Sequence, residues 1–315
     1  MATLFTLTFQ GQVETTGPAS DDEERGITRH AFPLNPPRDA AVRDGFRAFK
    51  CAPLGSGRLL VSVVSNRGDR DKYDRPVLRA LGVLLAPEEI RGPMRDLCAV
   101  WDALEETPES GEQLTSRVEA LSMGASEEAY GEVREALQDR GDFYADLADA
   151  LEHESVDLFA GHLEDGNHFL RPLFALLPTG RLRKLHLAIG SDAGEYREPI
   201  LCLPGIAPEP EEKGFLGGLF GKNKGPEGVI ADLPRGDLQG HRGEGPRSLV
   251  RSIVDPRPWP DGSEGLERYR VLMQCVDATE FGGPKDPFEA STELAALRQT
   301  IRDLEALSEE LTDWN

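Results

Sequence analysis

The sequence predicts an α+β fold: a mixed sheet with a helical middle segment, a Gly/Pro-rich connector and a C-terminal strand-helix module. Three observations carry this expectation. Short apolar runs with a period of two dominate the first 90 or so residues. From 94 to 152 the apolar period lengthens to that of a helix. Between 206 and 262 periodicity gives way to glycine and proline. The expected divisions are therefore a mixed α and β domain over 1–205, a connector over 206–262, and a strand plus amphipathic helix over 263–315.

Taken in order, Phe5, Leu7, Phe9 and Val13 alternate with polar residues, which predicts a half-buried strand. The acidic run 21–24 is expected to be a turn or loop. Asn35 and Pro36 supply a helix cap and a first-turn proline, and Val42, Phe46 and Phe49 then share one helical face. The run RLLVSVVS at 58–65 predicts a strand, 66–75 (NRGDRDKYDR) a charged loop, and 77–85 a second apolar strand. Helical stripes follow at Leu97, Trp101 and Leu104, at Leu114, Val118 and Leu121, at Tyr130, Val133 and Leu137, and at Tyr144, Leu147 and Leu151. Gly111, Gly124 and Gly141 mark the breaks between them. Residues 156–160 are short and apolar; Phe169, Leu173 and Leu176 predict a short helix ended by Pro178. Strands are expected at 185–189, 200–203 and 268–278. Asp286, Pro287 and Glu289 open a last helix, with Leu294, Leu297, Ile301, Leu304 and Leu311 in heptad spacing.

The formal net charge is −21. Such a surface repels phosphate backbones and anionic lipid, which argues against nucleic acid as a partner. No stretch has the roughly 20 uncharged apolar residues of a membrane helix, and MATLFTLTFQ lacks the positive start of a signal peptide. The four cysteines, Cys51, Cys98, Cys202 and Cys275, are far apart in apolar surroundings, as expected of reduced core thiols in a cytoplasmic protein.

Candidate chemistry is sparse. The cluster Gly217-Gly218-Leu219-Phe220-Gly221-Lys222 fails as a phosphate-binding loop: Leu216 stands where the first glycine belongs, and Asn223 follows the lysine instead of Ser or Thr. The surrounding KGFLGGLFGKNK is either a linker patch that folds back or a short binding motif. His162 and His168, six residues apart, do not share a helical face and suit a solvated turn better than a metal site. No nucleophile elbow is present. The sequence thus nominates no catalytic residue, cofactor or metal ligand. It nominates partner-binding residues in two places. Arg67, Arg70 and Arg75 concentrate positive charge on the 66–75 loop, which is either a contact surface or a self-compensated hairpin connection. Leu297, Ile301 and Leu304 head the C-terminal stripe, which must be covered by its own domain or by a partner. The expected role is a non-catalytic adaptor or scaffold. The alternative is a hydrolase or nucleotide-binding enzyme with a dispersed site.

Three stretches, SNRGDRDKYDRPVLRALGVLL at 65–85, LFALLPTGRLRKLHLAI at 173–189 and ILCLP at 200–204, together resemble the N-terminal region of bacterial GTPase-associated proteins. Members tend to carry Gly-Arg-Pro-Gly before the second strand and Leu-Pro-Pro before a basic stretch; Asp74-Arg75-Pro76-Val77 and Leu177-Pro178-Thr179 depart from both. The resemblance covers about residues 1–205. It implies an adaptor without catalysis, a GTPase or other NTPase of the same operon as partner, and a place in an NTPase-centred anti-phage conflict system.

Overall fold

The structure, a computed structural model, describes residues 3–8, 13–32, 46–74, 76–91, 96–105, 127–153, 155–161, 166–190, 199–203, 207, 229–241, 246–255, 264–279, 296, 299–300 and 302–303. Among them the protein is α+β: a ten-stranded mixed sheet with eight helices. The strands are β1 (Thr3–Thr8), β2 (Val13–Thr16), β3 (Arg47–Pro53), β4 (Leu59–Arg70), β5 (Pro76–Leu85), β6 (Val156–Phe159), β7 (Leu187–Ile189), β8 (Ile200–Leu203), β9 (Val229–Asp232) and β10 (Asp237–Gln239). The helices are α1 (Asp21–His30), α2 (Pro87–Arg91), α3 (Leu97–Glu105), α4 (Glu127–His153), α5 (Gly166–Leu176), α6 (Thr179–Leu182), α7 (Arg247–Val254) and α8 (Gly265–Thr279).

The strand order is β10-β9-β6-β8-β7-β3-β4-β5-β1-β2. Antiparallel pairing joins β3, β4, β5, β1 and β2, whereas β7, β8, β6 and β9 run parallel. β7 meets β3 antiparallel and welds the halves together. The alternation of β3, β4 and β5 divides their side chains between two cores. Phe49, Cys51, Val61, Val63 and Val83 face α3, α4, α5, α7 and α8, with Phe49 stacked on Trp101 at 4.5 Å. Ala48, Leu60, Val64, Ala80 and Leu84 face Ile27 and Ala31 of the α1 segment.

Buried polar groups tie the layers together. Asp277 of α8 caps α6, accepting from the Thr179 amide at 2.8 Å and the Thr179 hydroxyl at 2.6 Å. Arg171 of α5 pairs with Asp96 at 3.1 Å, with Asp102 of α3 at 3.4 Å and with Glu132 of α4. Burial opposes its charge, but Asp96 and Glu132 hold its pKa above the ordinary arginine value.

The fold corrects several expectations. Residues 21–24 begin α1 instead of a loop. The capping box Ser20-x-x-Glu23 sets its start: the Glu23 amide donates to Ser20 Oγ at 3.3 Å, and the Ser20 amide donates to Glu23 Oε2 at 2.9 Å. Phe49 belongs to β3 and not to a helical face, because residues 48–52 are buried on both sides of the sheet. Residues 268–278 form α8, not a strand. Leu266, Tyr269, Leu272, Met273 and Val276 pack on the core at spacings of three and four, and Leu, Met, Gln and Arg there favour helix. Within the 206–262 connector, β9, β10 and α7 are ordered parts of the fold, and β9 is buried at all four positions. Four-residue strands between glycines and prolines carry too little period to stand out. The break expected at Gly141, by contrast, is present: α4 is two helical segments meeting at a kink at Arg140 (φ −135°, ψ 34°), where a Cβ on Gly141 would lie 2.6 Å from Val250 Cγ1 of α7. The Arg140 guanidinium then donates to the carbonyls of Leu233 at 2.8 Å and Pro234 at 2.7 Å, holding the β9–β10 turn. The 33–45 helix start, the stripe at Leu114, Val118 and Leu121, and KGFLGGLFGKNK lie outside the described residues.

Candidate functional site

Of the expected 66–75 loop, residues 66–70 belong to β4 and 71–74 form the turn. β4 pairs with β5 from Leu59↔Leu85 to Asn66↔Leu78, shifts register, and pairs again at Arg70↔Pro76. On one side the last described pair with β3 is Arg47↔Ser65, and on the other the last described pair with β1 is Thr8↔Arg79. Among the described residues β4 therefore runs five residues past its last pair with β3, and β5 three residues past its last pair with β1, roughly 10–15 Å at a strand's rise. Sequence polarity alone suggested a loop because a two-stranded ribbon clear of the sheet has no buried face to demand alternation.

A β-bulge positions the tip. Asn66 is buried; its amide donates to the Phe46 carbonyl at 3.0 Å, and its Oδ1 accepts from the Gly68 amide at 3.0 Å. Gly68 takes φ +86°, a left-handed conformation that glycine adopts without strain. The turn itself is set by Asp71: its carbonyl accepts from the Asp74 amide at 2.9 Å, and its Oδ1 accepts from the Tyr73 amide at 2.8 Å. Asp74 completes the reversal at φ 60°, which aspartate tolerates better than most residues.

This geometry presents Tyr73, 66% accessible and the exposed large hydrophobic side chain among the described residues. Lys72 Nζ stands 4.9 Å from its ring centroid, a contribution of about 0.5–1 kcal/mol at an exposed site. Arg70 and Arg79 are exposed at the base of the same ribbon. Tip and base thus offer an exposed aromatic ring among alternating charges.

Of the residues nominated from sequence, Arg70 is placed at the last paired position of β4. Arg67 lies in the bulged part of β4, but its side chain, and Arg75 altogether, lie outside the described residues. Leu297, Ile301 and Leu304 also lie outside them. Ala296, Gln299, Thr300, Arg302 and Asp303, described around that stripe, are helical and exposed, and Gln299 donates to Asp303 at 2.8 Å. Lys72 belongs to the positive charge that the sequence places on this segment; sequence reasoning passed over Tyr73, although an aromatic ring inside a charged run was the available signal.

Elsewhere, Cys51, Cys98 and Cys202 are unbonded and buried. Burial pushes the thiol pKa of Cys202 up to about 12 and those of Cys51 and Cys98 well above the ordinary value, so none is poised as a nucleophile. Among the described residues no three His, Cys, Asp or Glu side chains cluster in a way that could hold a metal ion, and no helix is long and apolar enough to cross a membrane. No protein-family model matches the chain, and no curated protein matches it.

Proposed function

We propose that the protein is a non-catalytic adaptor or scaffold subunit that engages a partner protein through the tip of the β4–β5 hairpin. The observation that carries this reading is Tyr73, exposed at the end of a ribbon that, among the described residues, extends past its paired neighbours on both sides. Tyrosine and arginine are the residues that most often dominate binding energy, and a ring fixed by its turn loses little entropy on docking. Mixed charges around it orient the encounter. The resemblance over 65–85 falls on this hairpin and points to a GTPase or other NTPase as the partner, in a cytoplasmic multi-protein system. Buried free thiols accord with a reducing compartment. Co-expression with the products of neighbouring genes tests the proposal. The native chain retains a partner, and the Arg70→Ala/Tyr73→Ala variant loses it while keeping its circular dichroism. Retention of the same partner by that variant overturns the assignment of the hairpin.

A further inference from the structure

At the opposite end of β4, about 35 Å from the hairpin tip by strand rise, α1 and the β3–β4 turn enclose an open concavity of about 510 Å³. Its making is local. Gly26 brings α1 hard against the turn, since a Cβ there would lie 2.9 Å from Leu54 Cδ2. The turn closes through the Gly57 amide, which donates to the Leu54 carbonyl at 2.9 Å, with Gly55 and Ser56 exposed at its crest.

The charge lining this concavity opposes that of the whole molecule. Arg25, Arg29 and His30 lie along one side of α1 and line it. Arg183 extends the positive surface from beyond α6, its Nη2 donating to the Gly57 carbonyl at 3.3 Å. His186 sets its ring edge-on to His30 with centroids 5.8 Å apart. Asp21 and Asp22 both act electrostatically on Arg25. Asp22 pairs with Arg25, an exposed bridge that exchanges readily. Glu23 is turned inward to the Ser20 cap and to Arg58 at 3.5 Å. Arg29 makes no hydrogen bond or ion pair among the described residues. At physiological ionic strength charges beyond about 8 Å are largely screened, so this local set, not the −21 of the chain, governs an ion at the site.

We propose that the concavity between α1 and the β3–β4 turn binds the phosphate group of a small phosphorylated molecule. Arg29 is the principal ligand, and Arg25 exchanges Asp22 for the incoming oxyanion. Guanidinium groups match phosphate oxygens in pairs, and the volume is that of sites for small molecules. The site is independent of the hairpin contact and sits on the other end of the sheet.

Isothermal titration of the full chain with inorganic pyrophosphate at pH 7 tests this, with a phosphoserine peptide and its unphosphorylated form as further arms. The expected result is saturable pyrophosphate binding, weakened at least tenfold by Arg29→Gln and further by Arg25→Gln/Arg29→Gln. Tyr73→Ala should leave it unchanged. Both arginines are exposed, so the variants should melt with the native chain. Pyrophosphate binding that is undetectable, or that survives the double substitution, overturns the proposal. Binding of the phosphopeptide alone also overturns it, by assigning the groove to a protein ligand. Loss of hairpin-dependent partner binding in Tyr73→Ala would bear on the adaptor reading and not on this one.

Discussion

Gly82 sits in the middle of β5, in register with Phe5 of β1 and Ser62 of β4. The Phe5 ring folds over it. A Cβ there would lie 2.4 Å from Phe5 Cζ and 2.5 Å from the Val61 carbonyl oxygen. The ring is 1% exposed and has little room to move, and the carbonyl belongs to the ladder. Gly82→Ala is thus an overpacking change in the strand that supports the hairpin, with an expected cost of about 1–3 kcal/mol. Gly131 provides the opposite case. It lies exposed in α4, and a Cβ added there would meet nothing within 4 Å. Gly131→Ala should stabilise by about 0.5–1 kcal/mol through helix propensity alone. Urea unfolding of the two variants beside the native chain separates them: the midpoint falls for Gly82→Ala and rises for Gly131→Ala. A midpoint for Gly82→Ala equal to or above the native one would refute the packing of Phe5 on the glycine.

Two further outcomes follow from the polar ties. Arg171→Leu leaves Asp96, Asp102 and Glu132 facing one another without a cation; because Arg171 and two of these acids keep some access to water, the expected loss is about 2 kcal/mol, below the range for fully buried pairs, and urea unfolding checks it. Glu23 has its carboxyl pKa below 4.5: burial would raise it, but the Ser20 amide, Ser56 and Arg58 together lower it. Its contribution is therefore present above pH 4.5 and is lost as pH falls through the lower folded value. Glu23→Gln should unfold more easily than the native chain by about 1 kcal/mol at pH 7, with the gap narrowing as pH falls below 4.5; a gap that does not narrow in acid would contradict the assignment.

What was legible in the sequence was what burial on one face or both imprints. The runs at 58–65 and 77–85 became β4 and β5 because sheet positions between two cores demand unbroken apolar character. The stripe of Tyr130, Val133 and Leu137 is the buried face of α4. The α1 start was also legible, in Ser20 and Glu23, but acidic composition outweighed the capping spacing. α8 was misjudged because Val271 and Val276 suggested strand, while the helical spacing of its buried residues only becomes visible against α4 and α7. β9 could not be found by period, since its four residues gain their partners from β6, more than 70 positions earlier. At the candidate site, the charge of the hairpin was visible but its projection was not. That projection depends on where the described pairs with β1 and β3 end, which is a property of other strands.

The most direct test of the adaptor reading is the dissociation constant of the co-purified partner for the native chain and for Tyr73→Ala, measured with purified proteins at one ionic strength. A buried tyrosine anchor at an interface is worth about 2 kcal/mol or more, or roughly 30-fold in affinity, and loss of an exposed side chain leaves folding stability within about 0.5 kcal/mol. The account predicts a Kd raised about 30-fold with an unchanged urea midpoint. An unchanged Kd would contradict it and return the hairpin to a solvated connection.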